Sequence, residues 1–403
     1  MQTDINQNQQ SGQFHSKPLN WVLFFGSVFF FTSNLFASIS ILPGYSLELG
    51  STPFLAGLQN TVFSATAVLL RFIFGPIMDQ KGPKPLMLIG VFAFATTPLL
   101  IYLSPTYPML LAARVYQSIG LAVYLPGIST LASEMAPPEK IGTCLGTSRI
   151  FINLGLLAGP SAALFIVGAF DFETWLAISA VTSVISFLLL YGVKIPDVSY
   201  RTVAVAGSLS QIKKVLTEKL IYPVIGGILL YAFIYSGVVS FAAVHIESAA
   251  PNSQAPYFFV ILGVAGIAGC LGAGALSDIF SRQKLAWPLL LFLGLGATAF
   301  SMIYLSPFLI IICAVILGLG IQGSSLVFAA WLIELSKPEL RATTMSMQEN
   351  SIDIMFAIGA LVFGLAAQGP GLVSAFMVVG MFTIAAVIPL ARISSKIIAG
   401  KTQ

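Results

Sequence analysis

The chain has 403 residues, of which 57% are hydrophobic and 8% are charged, and its mean hydropathy is +0.92. A water-soluble core of this size cannot hide so much apolar surface, so the composition excludes a soluble protein and predicts one that lives in a lipid bilayer. The net charge of +4 gives no reason to expect a nucleic-acid partner, and the three cysteines lie in or beside apolar segments, which predicts neither a disulfide framework nor a metal site.

Apolar runs of about 20 residues, the length that crosses a bilayer, predict twelve transmembrane helices. They lie near 21–42, 54–78, 86–103, 109–133, 146–168, 174–193, 221–244, 257–277, 286–304, 308–331, 346–366 and 371–391. We therefore predict an all-α membrane protein with a disordered cytoplasmic tail at 1–19, a six-helix bundle at 20–193, a cytoplasmic linker at 194–220, a second six-helix bundle at 221–392 and a cytoplasmic tail at 393–403. Within the linker, residues 208–219 have the pattern of a short amphipathic helix at the membrane surface.

The basic residues predict the orientation of these helices, because cytoplasmic loops retain Lys and Arg. With both termini in the cytoplasm, all but three of the 19 Lys and Arg residues fall on the cytoplasmic side. The exceptions, Arg71, Arg114 and Arg149, lie inside spans. We expect a multi-pass protein of the plasma or inner membrane, without a cleaved signal peptide, because the polar N-terminal tail has no apolar h-region.

The loop after the second span is repeated in the second half of the chain. Gly75-Pro-Ile-Met-Asp79 recurs as Gly274-Ala-Leu-Ser-Asp278, and Ser118-Ile-Gly120 recurs as Gly318-Leu-Gly320. A registered repeat across so wide a gap indicates a duplicated unit. A duplicated polytopic membrane protein is most often a transporter with its site between the halves.

The residues that follow Asp79 complete a longer motif. Together with Lys81, Gly82 and Lys84, the loop resembles the G-x-L-x-D-R-x-G-R-R/K signature of the major facilitator superfamily, with Gln80 in place of the Arg. The resemblance implies two pseudo-symmetric six-helix bundles and a conformational role for both copies of the loop, Gly274 and Asp278 included. The alternative is an ordinary tight turn with a capping Asp.

Two further motifs lie in the next predicted spans. Span four opens with Arg114-Val-Tyr-Gln-Ser-Ile-Gly-Leu-Ala, which resembles the R-x-x-Q-G-x-G-x-A motif of the same superfamily, where the Arg is associated with proton coupling. Span five contains Gly155, Gly159 and Pro160, which resemble the G-x-x-x-G-P-x-x-G motif of the drug:proton antiporter branch. The alternative for span five is a close helix contact, since small residues four apart let two helices approach.

Ionisable residues inside spans are the best functional candidates, because the bilayer penalises each by roughly 2.5–3.5 kcal/mol on insertion scales. Glu349 and Asp353 lie one turn apart on span eleven, and Arg71 on span two lies at a similar depth. The superfamily fold makes spans two and eleven neighbours, so we predict a pair of Arg71 with Glu349 or Asp353. Its role is proton coupling, or else a permanent pair that fixes helix register.

Arg149 and Asn153 occupy the repeat positions of Glu349 and Asp353, so the two halves differ in polarity at equivalent depth. We find no obvious acidic partner for Arg149 on span eight and predict that it contacts an anionic or zwitterionic substrate. Other polar residues predicted to line the cavity lie on spans one, four, seven and ten: Asn34, Tyr116, Gln117, Tyr124, Tyr231, Tyr235 and Gln322. His245, near an external span end, is predicted to be solvated beside Glu247.

The pattern predicts a secondary active transporter, a proton-coupled exporter of a small organic compound that works by alternating access. Its expected partners are that substrate, protons and lipid, and we expect a monomer without a cofactor. An enzyme is disfavoured, because the chain has no Walker A loop, H-E-x-x-H or G-x-S-x-G motif. The alternatives are an uptake symporter or uniporter of the same fold and a non-transporting membrane receptor.

Overall fold

The computed structural model describes residues 18–103, 106–137, 141–195, 214–249, 255–336 and 340–401. Within those ranges the long elements are twelve helices, each of the length and hydropathy that crosses a membrane. They are α1 (Pro18–Glu48), α2 (Pro53–Lys81), α3 (Pro83–Leu103), α4 (Tyr107–Met135), α5 (Ile141–Ala169), α6 (Phe172–Gly192), α7 (Ile221–Ala249), α8 (Ala255–Ile279), α9 (Arg282–Phe300), α10 (Pro307–Leu335), α11 (Arg341–Gln368) and α12 (Gly371–Lys401). The predicted all-α, twelve-span fold is confirmed.

The helices differ from the predicted spans mainly at their ends. The spans are predicted from apolar runs, whereas a helix can continue into polar residues beyond such a run. Helix α12 runs to Lys401, through most of the predicted C-terminal tail, and helix α1 begins at Pro18, inside the predicted N-terminal tail. Helix α9 ends earlier than its predicted span, at Phe300, and a 3₁₀ turn at Ile303–Leu305 follows it. Residues 1–17 of the predicted N-terminal tail and most of the linker, including 208–213 of its predicted helix, lie outside the described residues.

Local chemistry fixes several helix ends. Thr52 caps α2 by accepting a hydrogen bond from the Leu55 amide, and Pro53 occupies the first turn, where its missing N–H costs nothing. Asp171 caps α6 by accepting from the Thr174 amide at 2.7 Å, and this hydrogen bond lowers the pKa of the Asp171 carboxyl group. Gly82 ends α2 with a φ of 80°, a conformation that favours glycine.

We call α1–α6 the first group and α7–α12 the second. One cluster of buried apolar residues lies in the second group and two lie in the first, one of which also takes in Val239 of α7 and Phe356 of α11. In the first group, Phe31 and Tyr124 stack with ring centroids 3.7 Å apart, and in the second, Phe328 stacks with Tyr231 at 6.1 Å. The two groups meet where α2 packs on α11, α5 on α8 and α1 on α7. The predicted neighbours, spans two and eleven and spans five and eight, are thus in contact.

The two groups touch most closely near the α1–α2 and α7–α8 connections, which the charge pattern predicts to be external. A Cβ at Gly57 of α2 would lie 2.3 Å from the Ala360 carbonyl oxygen of α11, and Thr61 donates a 2.8 Å hydrogen bond to the Ala357 carbonyl. A Cβ at Gly263 of α8 would lie 2.3 Å from Cβ of Leu157 on α5. This end of the bundle, the α1–α2 end, is therefore closed.

His245 lies at the same end but is not solvated, so that prediction is wrong. The ring is 1% exposed, its Nε2 lies 3.0 Å from the Phe300 carbonyl oxygen, and it packs against the rings of Phe300 and Phe376. It borders a cavity of about 340 Å³ between the two groups. The span continues past position 244, so the ring lies inside the bundle instead of beyond it.

The structure describes some residues of the two repeated loop motifs. Lys84 donates to the carbonyls of Tyr191 and Val193 at 2.9 and 2.6 Å, so it ties the start of α3 to the end of α6. Lys81 is exposed at the end of α2, and added Cβ atoms at Gly75 and Gly274 would find space. The side chains of Asp79 and Asp278 lie outside the described part of the structure.

Candidate functional site

A buried ion pair joins α2 to α11. The guanidinium group of Arg71 contacts the Asp353 carboxylate, and its Nη1 also donates to Asn350 Oδ1 at 3.2 Å. Both charged side chains are only 12% exposed. The predicted pairing of Arg71 with a carboxylate of span eleven is present, and Asp353 is the partner. Asn350 was not predicted, although its place three residues before Asp353 puts it on the same face of the helix.

A second ion pair joins α5 to α11, so the prediction that Arg149 has no acidic partner is wrong. Arg149 Nη2 contacts Glu349 Oε1 at 2.5 Å, and the side chains are 41% and 31% exposed. Both residues lie about 12 Å of helix beyond the starts of α5 and α11. The partner lies on α11 instead of α8 and is the repeat-equivalent residue itself.

The missed signal is the registration of the two halves. Residues related by a pseudo-two-fold axis lie at equal depth, and those near the axis face each other across it. Arg149 and Glu349 stand 200 residues apart, as do the repeated motifs, and carry opposite charges. Equivalent positions with opposite charges therefore indicated a contact, and not only a difference in polarity.

Together the two pairs form one cluster of four charges between the halves. The arginines belong to α2 and α5 of the first group, both carboxylates belong to α11 of the second, and Glu349 also interacts electrostatically with Arg71 and Asp353. Formal charges in the cluster sum to zero. Because the opposite charges sit on opposite halves, any rearrangement of the halves must separate or replace these contacts.

Polar residues of α7, α8 and α10 surround the Arg149–Glu349 pair. Tyr231, Tyr235 and Cys270 lie near enough to interact with its charges, and Tyr235 is also a neighbour of Gln322. Tyr231 Oη lies beside Gln348 without forming a well-oriented hydrogen bond, and the Tyr235 ring packs edge-on against Phe356, with centroids 4.9 Å apart. Asn153 is buried one turn after Arg149 on α5. The predicted residues Arg149, Asn153, Tyr231, Tyr235 and Gln322 thus lie in one region.

The four predicted cavity residues of α1 and α4 lie inside the first group. The Asn34 amide binds Ser179 and Ser183 of α6, and the Tyr124 hydroxyl shares a 2.6 Å hydrogen bond with Ser27. Tyr116 bonds to Thr96 of α3 at 3.0 Å, and Gln117 accepts a hydrogen bond from Arg114. These side chains join helices of one half, and their assignment to the cavity is corrected accordingly.

Arg114 is completely buried and is held by neutral partners. Its Nη2 donates to Asn60 Oδ1 at 2.7 Å, its Nη1 donates to Gln117 Oε1 at 2.5 Å, and its guanidinium carbon lies 3.8 Å from the centre of the Phe63 ring. Among the described residues its contacts are amide oxygens and an aromatic face, and it stands apart from the four-charge cluster. Its predicted part in proton coupling stays a prediction.

Comparisons with known proteins agree with this architecture. The model of the Major Facilitator Superfamily matches residues 23–306, and that of the sugar (and other) transporters matches 224–393. Quinolone resistance protein NorA of Staphylococcus aureus is 24% identical over 145 residues, 36% of this chain and 37% of NorA, so the match spans little more than a third of that relative. Macrolide efflux protein A of Streptococcus pyogenes is 22% identical over 331 residues, 77% of this chain and 81% of that protein.

Among solved structures, the peptide transporter POT in complex with sulfate has a TM-score of 0.79, with 16% identity over 96% of both chains. Identity this low shows a common fold and nothing about the transported compound. The family model, in contrast, matches more than half of the sequence, and the fold it implies is the twelve-helix bundle described above. The chain belongs to the Major Facilitator Superfamily of membrane transporters.

Proposed function

We propose that the protein is a proton-coupled exporter of a small organic compound, working by alternating access between two states of its six-helix halves. The observation that carries the proposal is the pair of ion bridges, Arg71–Asp353 and Arg149–Glu349, which join the first half to the second. Protonation of a carboxylate weakens an ion pair between the two halves. A proton gradient can therefore change the contacts that hold the halves together.

The proposed cycle begins with protonation of Asp353. A neutral carboxyl group no longer attracts the Arg71 guanidinium group, so the contact between α2 and α11 weakens and the halves can rock. Glu349 lies one turn away, and the same change in charge alters its electrostatic interaction with Asp353 and Arg71. Release of the proton on the cytoplasmic side restores the pair, and the substrate leaves on the other side.

Export is favoured over uptake by the names of two distant relatives, a quinolone resistance protein and a macrolide efflux protein. Uptake by the same fold is the second candidate, since the peptide transporter POT superposes on 96% of the chain. The two functions predict opposite metabolite changes in a deletion strain. An exporter's substrate accumulates inside the cells and falls in the medium, whereas a nutrient taken up by the protein stays in the medium.

A liposome experiment tests the coupling. Purified full-length protein with Asp353→Asn or Glu349→Gln should lose transport driven by a pH gradient, because the first variant cannot carry the proton and the second removes a charge that interacts with Asp353 and Arg71. The control is Glu173→Gln, which makes the same chemical change on the exposed first turn of α6, and it should transport normally. Full proton-driven transport by both Asp353→Asn and Glu349→Gln contradicts the proposed coupling.

The proposed orientation places both termini in the cytoplasm of the plasma or inner membrane. It is supported by the absence of Lys and Arg from the predicted external loops. Membrane-impermeant labelling of a cysteine introduced at exposed position 170 or 281 tests it, because α5–α6 and α8–α9 connections then lie on opposite sides. Labelling from outside is expected at 170 alone.

A further inference from the structure

We propose that Arg149 and Glu349 form a binding site for a small zwitterion, whose carboxylate takes the place of Glu349 on Arg149 and whose ammonium group takes the place of Arg149 on Glu349. The inference rests on the proposed function in treating the space between the halves as the substrate path. It adds the chemical class of the ligand. It also divides the four charges into a coupling pair and a binding pair.

The division follows from the different surroundings of the two pairs. Arg71 and Asp353 are each 12% exposed, and Arg71 has a further contact with Asn350, so this pair is enclosed by protein. Arg149 and Glu349 are 41% and 31% exposed, and their contact is a single one, between Nη2 and Oε1. A guanidinium group has five N–H donors and a carboxylate has two acceptor oxygens, so each group has hydrogen-bonding capacity left for a ligand.

The pair lies between the halves and is partly exposed, since Arg149 belongs to α5 of the first half and Glu349 to α11 of the second. Both residues lie about 12 Å of helix beyond the starts of α5 and α11. Residues of α7 and α8, namely Tyr231, Tyr235 and Cys270, surround them. A group that is deep in the bundle, walled by protein and still partly open is accessible to a solute in the path between the halves.

Charge balance selects the class of ligand. A carboxylate that displaces Glu349 from Arg149 would leave Glu349 unpaired in a site that water screens only in part, and an ammonium ion that displaces Arg149 would leave that arginine unpaired there. A molecule carrying both groups leaves neither charge uncompensated. The site therefore rejects simple anions and simple cations by the unpaired charge that each would create, and accepts the zwitterion.

The chemistry of the neighbouring side chains suits the body of such a molecule. The rings of Tyr235 and Phe356 meet at right angles, which provides an apolar wall, and Gln322 lies beside Tyr235. Tyr231 Oη has no well-oriented partner and can donate to a ligand oxygen. Apolar walls with a few converging polar groups are typical of small-molecule sites.

The test uses matched probes on the purified full-length protein. The proteinogenic L-amino acids are compared with their N-acetyl derivatives, which are anions, and with their amides, which are cations, by the rise in melting temperature that each causes. We expect at least one amino acid to raise the melting temperature at millimolar concentration. Its two derivatives should require concentrations at least about tenfold higher.

Three variants separate binding from structure. Arg149→Gln, Glu349→Gln and the neutral double variant should each weaken the effective zwitterion at least about tenfold. A matched double control, Glu173→Gln with Arg392→Gln, also removes one negative and one positive charge but at exposed sites, and should bind normally. The neutral double variant guards against misfolding, since it leaves no unpaired charge.

Several results overturn the inference. It fails if no zwitterion stabilises the protein, if the charged derivatives are as effective as the parent amino acid, or if the neutral double variant binds normally. It also fails alone, with the proposed function intact, if the compound that accumulates in the deletion strain is moved by a pH gradient but is not a zwitterion. Binding of a zwitterion without any transport driven by a pH gradient contradicts the proposed proton coupling instead.

Discussion

Arg71 and Asp353 hold opposite charges in the interior of the bundle, where each one depends on the other. Both are 12% exposed, and a charge left alone in such surroundings loses its partner without regaining water. Arg149 and Glu349 are more open, so solvent screens each of them in part. Single substitutions in the two pairs should therefore differ in their effect on stability.

We predict that Asp353→Ala lowers the free energy of unfolding by about 3–5 kcal/mol, because it leaves Arg71 buried and unpaired. Glu349→Ala should cost about 1 kcal/mol, since Arg149 can turn toward solvent. The double variant Arg71→Leu/Asp353→Leu should recover most of the loss, because no charge remains buried. Thermal unfolding in detergent measures all three, and equal losses for Asp353→Ala and the double variant would contradict the explanation.

Arg114 depends on amide oxygens in the same way. Its Nη2 donates to Asn60 Oδ1 at 2.7 Å, and both residues are buried. We expect Asn60→Leu to destabilise the protein by about 1–3 kcal/mol, because it leaves a charged donor without an acceptor. Thr130→Val, which removes a hydroxyl group from the same helix as Arg114 at a half-buried position, is the control and should have a much smaller effect. A neutral Asn60→Leu variant would show that other contacts suffice.

These polar residues mark the limit of what the sequence could predict. The depth of Arg71 and Asp353 along their helices placed them correctly, because helix rise is regular and the neighbours of span two follow from the family fold. The faces of Asn34, Tyr116 and Tyr124 could not be predicted, because α1 and α4 are packed on several sides and a polar side chain can bind either a neighbouring helix or the cavity. Hydropathy distinguishes side chains that face lipid from those that face protein, but it does not show which neighbouring helix a protein-facing side chain contacts.

At the scale of the helices, two glycines of α5 form its close contact with α1. A Cβ at Gly159 would lie 2.0 Å from the Ser33 carbonyl oxygen, and one at Gly155 would lie 2.1 Å from the Thr32 hydroxyl. The motif that resembles the antiporter signature thus makes a close helix contact inside the first half, and its role in an antiporter stays a prediction. The spacing of small residues predicted the contact, but it could not identify α1 as the partner.

We expect Gly159→Ala to destabilise the protein by about 1–3 kcal/mol or more, because its methyl group meets backbone that must move. Gly168→Ala is the matched control on the same helix, since a Cβ there finds no atom within 4 Å. It should be neutral, or stabilising by up to about 1 kcal/mol through helix propensity. Unfolding by heat in detergent compares the two, and the explanation fails if Gly159→Ala unfolds at the temperature of the control.

Across the whole molecule, contacts between the halves are distributed unevenly. At the α1–α2 end, Gly57 of α2 meets α11 and Gly263 of α8 meets α5 with backbone-to-backbone or near-backbone approach, while farther along the halves are joined by the two ion pairs. Close packing is lost abruptly when helices separate, whereas ion pairs can exchange partners with a proton or a ligand. One end thus provides a tight seal, and the other provides contacts that can be switched.

The seal gives a test of alternating access that needs no substrate. Gly57→Leu places a large side chain where a Cβ alone would lie 2.3 Å from the Ala360 carbonyl oxygen, so it opposes closure of the α1–α2 end. Gly168→Leu is the control, since a Cβ at this exposed position near the end of α5 finds no atom within 4 Å. If the added side chain disfavours the closed state by about 2 kcal/mol, the ratio of open to closed molecules rises about thirtyfold.

Spin labels report the shift. With the native cysteines replaced by serine, labels at Ser51→Cys and Gln368→Cys lie on opposite halves at the α1–α2 end, and electron–electron resonance measures the distances between them. We expect Gly57→Leu to add a longer-distance population that Gly168→Leu lacks. Lengthened distances in both variants would mean that this end responds to any added bulk. Unchanged distances in Gly57→Leu, in a protein that still unfolds cooperatively, would mean that the glycine contact does not control the closure of this end.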